Sequence, residues 1–105
     1  MAIMERTIHD LKDHSSWDTI MVVEQKWIDA EKGLGGFPDK QYYQPLAGSD
    51  DILTFIWERE WDSLSEMEQA YEKLMNSEAA KKCIDPTKDL IASFRRELFN
   101  VKELR

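Results

Sequence analysis

Residues 52–61 read Ile-Leu-Thr-Phe-Ile-Trp-Glu-Arg-Glu-Trp, β-branched and aromatic types that suit a pleated strand, and Ser63-Leu64-Ser65-Glu66 follows at once with the spacing of a capping box. A strand that runs straight into a capped helix leaves few folds open. Its two alternating sets both begin apolar, Leu53, Phe55 and Trp57 on one face and Ile52, Thr54 and Ile56 on the other, so neither face is built for water. Such a strand belongs inside a sheet, with helices on one side and a further partner on the other.

The same passage from strand to helix occurs earlier. Ala2 to Leu11 mixes β-branched, polar and charged residues without a helical stripe, and Lys12-Asp13-His14-Ser15-Ser16 supplies a loop. Ser15 and Asp18 read as a first capping box, and Trp17, Ile20, Met21, Trp27 and Ile28 share one face of a helix from about Ser16 to Lys32. Gly33-Leu34-Gly35-Gly36 ends that helix, and Pro38 discourages its continuation. Asp39 to Leu46 forms a second strand, joined by the turn cluster Ala47 to Asp51 to a third strand over Ile52 to Trp61. In the second helix Leu64, Met67, Tyr71, Leu74 and Met75 make the stripe, and Asp85-Pro86 breaks or ends it. Lys88 to Phe94 reads as a short helical turn, and Arg95 to Val101 alternates like a last strand.

The order βαββαβ predicts an α+β, ferredoxin-like domain over residues 1–105, an antiparallel sheet with two helices on one face. A chain of 105 residues suffices for one core of this kind. The uncovered face then decides oligomeric state, and its apolar content predicts a homodimer built sheet against sheet. Glu5, Arg6, Glu58, Arg59, Glu60, Arg95, Arg96 and Glu97 must in that case pair with one another, because an uncompensated buried charge costs about 3–5 kcal/mol.

A net charge of −7 repels a phosphate backbone or an anionic membrane, so no nucleic acid and no membrane is expected as partner. Ile20-Met21-Val22-Val23 is the longest apolar run, and Glu5 and Arg6 interrupt the start of the chain; with the single cysteine, Cys83, these features predict a cytoplasmic protein.

Gly36-Phe37-Pro38, between the first helix and second strand, and Glu60-Trp61-Asp62-Ser63-Leu64, where the third strand turns into the second helix, carry a resemblance to the dimeric α/β-barrel superfamily. Its branches include NIPSNAP-like proteins, antibiotic-biosynthesis-type monooxygenases and haem-degrading enzymes, and the likeness runs from Ala2 to about Leu104. It implies a ferredoxin-like dimer with ligands placed between sheet and helices. The haem-degrading branch would need an asparagine in the first strand and a tryptophan and a histidine on the second helix. All three are missing here, as is the first-strand asparagine of the cofactor-independent monooxygenases.

His9 is the candidate general base, since imidazole titrates near neutrality, and Tyr43 or Arg59 are candidates to orient a substrate. Tyr43, Phe55, Trp57 and Tyr71 are candidates to line an apolar cleft, with plain core packing as the competing reading. His9, Asp10, Asp13 and His14 lie within six residues, but neighbours in a strand point to opposite faces, so no metal site is assigned. Gly33 to Gly36 ends a helix where phosphate loops begin one, and no cofactor is expected. The reading is a homodimer that binds a small apolar or amphipathic ligand in an aromatic-lined cleft. The alternatives are a cofactor-independent monooxygenase or isomerase, and a structural dimer with no ligand. A cavity of about 300 Å³ or more beside His9 would favour a ligand.

Overall fold

The computed structural model describes residues 2–47 and 53–102. Strand β1 spans Ile3–Leu11, helix α1 Trp17–Leu34, β2 Gln41–Tyr43, β3 Thr54–Trp61, α2 Leu64–Met75, α3 Glu78–Leu90 and β4 Ile91–Asn100. The four strands pair antiparallel in the order β2-β3-β1-β4, the α+β ferredoxin-like arrangement the sequence predicts. Gly48 to Asp51 of the expected turn, and Ile52, lie outside the described residues.

Register fixes the two faces of the sheet. Thr7 is opposite Trp57, Glu5 opposite Arg59 and Ile3 opposite Trp61, so the odd positions of β1 and β3 share the inner face, under the helices. The even positions, among them Met4, Arg6, Ile8, Ile56 and Glu58, share the outer face. Trp61 ends β3 at 1% exposure, packed with Met67 and Ala70 of α2.

The helix boundaries follow their caps. Ser63 accepts a hydrogen bond from the Glu66 backbone N–H at 3.2 Å and starts α2, as its capping box predicts. For α1 the cap is Ser16, accepting from Thr19 N–H, and not Ser15. Ser15 is engaged elsewhere: its hydroxyl donates to the Leu90 carbonyl at 2.8 Å. Lys12 Nζ donates to the Lys88 carbonyl and His14 Nε2 bonds the Asp89 carbonyl, so the loop after β1 satisfies the last carbonyls of α3. Gly35 and Gly36, at φ 76° and 85°, close α1 in a region that side chains disfavour.

Four corrections concern the elements after α1. The single second helix is two, because Ser77 both donates to the Leu74 carbonyl and accepts from Ala80 N–H, ending α2 and capping α3. Pro86 does not break α3. It forfeits one helical hydrogen bond, and packing of Ala80, Cys83 and Leu90 offsets the loss. Trp27 Nε1 of α1 also donates to Thr87 Oγ1, which donates to the Cys83 carbonyl, tying the helix together around the proline. β4 then begins at Ile91 rather than Arg95, since Leu11 pairs Ile91 directly. Finally, β2 is shorter than Asp39 to Leu46, with three pairs to β3, and Pro45 lacks the N–H to extend it.

Candidate functional site

Between the inner face of the sheet and the helices lies a cavity of about 210 Å³, partly open to solvent. β1 contributes Thr7 and His9, β3 contributes Phe55 and Trp57, α1 contributes Ile20 and Trp27, and Phe94 of β4 stands at its wall at 64% exposure. It is smaller than the ~300 Å³ at the low end of drug-sized sites and larger than the ~150 Å³ apolar cavity that accepts benzene. Its capacity is one to two rings.

His9 packs against Phe55 and stacks on Phe94, with ring centroids 5.3 and 5.9 Å away. Its Nδ1 lies 3.2 Å from the Phe55 carbonyl oxygen. A carbonyl oxygen accepts only, so Nδ1 carries the proton and Nε2 the free lone pair. Burial pushes the imidazole down to about 4, against the rise that the Phe55 carbonyl bond supplies, and His9 is neutral at neutral pH. Thr7, two residues before it on the same face, is 3% exposed, and its Oγ1 is the buried side-chain polar atom left without a hydrogen-bond partner among the described residues.

The far side of the cavity is a buried ion network. Arg59 donates from Nε to Glu5 at 3.1 Å, from Nη1 to Glu31 at 2.9 Å and from Nη2 to the Tyr71 hydroxyl. Phe37, Trp57, Trp61 and Tyr71 surround its guanidinium at 4.8–5.3 Å from their ring centroids. Tyr71 and Trp61 Nε1 both donate to Glu5, at 2.6 and 2.9 Å, and Arg96 reaches the same carboxylate at 3.0 Å. Lys40 lies 3.0 Å from Glu24 and 3.5 Å from Glu31, with its Nζ 4.4 Å from the Trp57 ring centroid. Burial raises the Glu24 carboxyl above its ordinary range, against the pull of Lys40.

The candidate residues are therefore divided. His9, Phe55, Trp57, Arg59 and Tyr71 meet at the cavity. Tyr43 does not: it pairs with Ile56 on the outer face, 43% exposed, while its neighbour Tyr42 turns inward and stacks on Phe55. Arg59 does not pair with Glu58 or Glu60 beside it, which face outward; its partners come from β1, α1 and α2. His14 and Asp10 are turned away from His9, Asp10 accepting from Ser93 at 3.0 Å. Sequence reasoning missed Thr7, Glu24, Glu31, Lys40 and Arg96. The first was legible as the inward position two before His9, and Glu24 and Glu31 as acids set into the α1 stripe of Ile20 and Trp27.

Several solved structures share this architecture. A NIPSNAP family protein from Agrobacterium tumefaciens superposes with a TM-score of 0.81 at 16% identity, covering 98% of this chain and 95% of that one. SnoaB, a cofactor-independent oxygenase from Streptomyces nogalater, gives 0.72 at 10% identity, over 98% and 95% of the two chains. A dimeric ferredoxin-like protein of unknown function from Thermobifida fusca gives 0.66 at 11% identity, over 96% and 92%. The chain shares the ferredoxin-like α+β fold of these proteins. At these identities the likeness is one of fold. No protein-family model matches the chain, and no curated protein sequence does.

Proposed function

We propose that this protein is a homodimer that binds a small, largely apolar molecule in the cavity under α1. The observation that carries the binding half is the cavity itself, a space of about 210 Å³ left open among Ile20, Phe55, Trp57 and Phe94. Protein interiors otherwise fill such space, and an empty cavity costs stability. The dimer half rests on the outer face. Met4, Ile8, Ile56, Tyr43 and Phe99 lie there, and Arg6 among them is already paired, 2.8 Å from Glu58 and 3.7 Å from Glu97. A partner sheet can cover those three charges without stranding one of them.

Binding has more support than catalysis. An imidazole held near 4 is a weak base at neutral pH, and Arg59 is committed to three partners of its own chain. No helix among the described residues is long and apolar enough to cross a membrane.

Titration with toluene, followed by tryptophan fluorescence, tests the reading. Trp27 and Trp57 line the cavity, so saturable quenching is expected in the wild type and in Tyr43→Ala, and about tenfold weaker binding in Trp57→Leu. Loss of binding in Tyr43→Ala with Trp57→Leu unaffected would place the ligand on the outer face and overturn the proposal.

A further inference from the structure

We propose that Thr7 and His9 form a recognition strip for a hydroxyl group, and that the ligand is an uncharged alcohol. This rests on the cavity being a binding site. The charges around the cavity leave nothing for an ionic ligand. The cations on its wall are Lys40, Arg59 and Arg96 and the anions Glu24 and Glu31, with Glu5 behind them, and every one lies within 3.5 Å of an opposite charge. An anionic ligand would have to displace a carboxylate already in place, and a cationic ligand would have to displace a lysine or arginine.

Two polar atoms on the cavity-lining residues are unspent. Thr7 Oγ1 has no partner, although its residue is 3% exposed. Buried hydroxyls are nearly always satisfied, so an orphan on a residue that lines a cavity calls for a partner. His9 supplies the second, because its Nδ1 proton is held by the Phe55 carbonyl and its Nε2 has no partner among the described residues. Nε2 in that tautomer accepts and cannot donate. Thr7 Oγ1 can do either.

A ligand group that satisfies both must donate to Nε2 and meet Oγ1 as acceptor or donor, which a hydroxyl does with one atom. An ether or a ketone has no proton for Nε2. The remaining wall, Ile20, Trp27, Phe55 and Trp57, is apolar and takes the hydrocarbon part.

Isothermal titration of the wild-type protein with toluene, benzyl alcohol, benzyl methyl ether and phenylacetate tests this. Benzyl alcohol should bind about tenfold more tightly than toluene or the ether, and phenylacetate most weakly. Thr7→Val keeps the side chain's shape and removes its oxygen; His9→Phe keeps the stacked ring and removes Nε2. Each should abolish the preference for the alcohol, bringing the ratio of benzyl alcohol to toluene affinity to about one. Toluene binding with no preference for the alcohol, or a preference that survives both substitutions, overturns the hydroxyl strip and leaves the cavity as a site. Failure of all four compounds to bind overturns the site and the strip with it.

Discussion

Substituting glutamine for Glu5 isolates the buried network that frames the cavity. The Glu5 carboxylate is fully buried and receives Arg59 and Trp61 on Oε1 and Tyr71 and Arg96 on Oε2. An amide of the same size has one accepting oxygen and one donating nitrogen, so at least one of those donors faces another donor. Arg59, also fully buried, keeps Glu31 as its remaining carboxylate. Breaking a buried pair from one side costs about 3–5 kcal/mol, a large share of the ~5–15 kcal/mol that holds a domain together. With a urea slope of ~1–3 kcal/mol per molar, the unfolding midpoint should fall by about 2 M at fixed protein concentration. Arg59→Met should cost as much, since it takes a buried cation from both Glu5 and Glu31 and leaves them Arg96 and Lys40. The double variant Glu5→Leu/Arg59→Met removes both charges and should recover part of the loss, a coupling of about 1–3 kcal/mol. If Glu5→Gln unfolds within about 1 kcal/mol of the wild type, the network is hydrated in solution and the argument for a neutral, charge-balanced cavity wall fails.

Trp61→Ala should destabilise by about 3–5 kcal/mol, for the indole is buried and bonded to Glu5, whereas Ser63→Ala should cost about 1 kcal/mol through loss of its cap; thermal unfolding of the two variants checks the order. His9 makes stability depend on pH. Its folded value of about 4 lies below the ordinary 6.5, so the unfolded chain takes up the proton first, and the contribution is full above pH 6.5 and lost as pH falls toward 4. The difference in unfolding free energy between wild type and His9→Phe should therefore shrink by about 3 kcal/mol over that interval, and a difference flat with pH would mean an exposed imidazole. Sedimentation at micromolar concentration should show a dimer, and a clean 12.4 kDa monomer would contradict the pairing of outer sheet faces.

What the sequence made legible was what local chemistry decides. The pleated run up to Trp61, the cap at Ser63 and the glycines after α1 each depend on a few neighbouring residues. The cap at Ser16 was misassigned because the hydroxyl of Ser15 goes to Leu90, 75 positions away. Tyr43 was taken for Tyr42 because a three-residue strand gives no run from which to read its parity, and a slip of one residue exchanges the faces. The true partners of Arg59 lie 54, 28 and 12 positions distant, and its carboxylate neighbours in sequence point away from it. Proline in the last turns of α3 reads as a stop, and the compensating bond from Trp27 to Thr87 comes from another helix.

The claim that the cavity is a binding site can be tested most directly by soaking crystals of the protein with bromobenzene and locating the halogen by its anomalous scattering. The ring is of the size that about 210 Å³ admits, and no charge or hydroxyl is needed for entry. The account predicts bromine density between the sheet and α1, in contact with Ile20, Phe55 and Trp57. Density confined to the outer face of the sheet, or a cavity closed over by its own side chains, would contradict it.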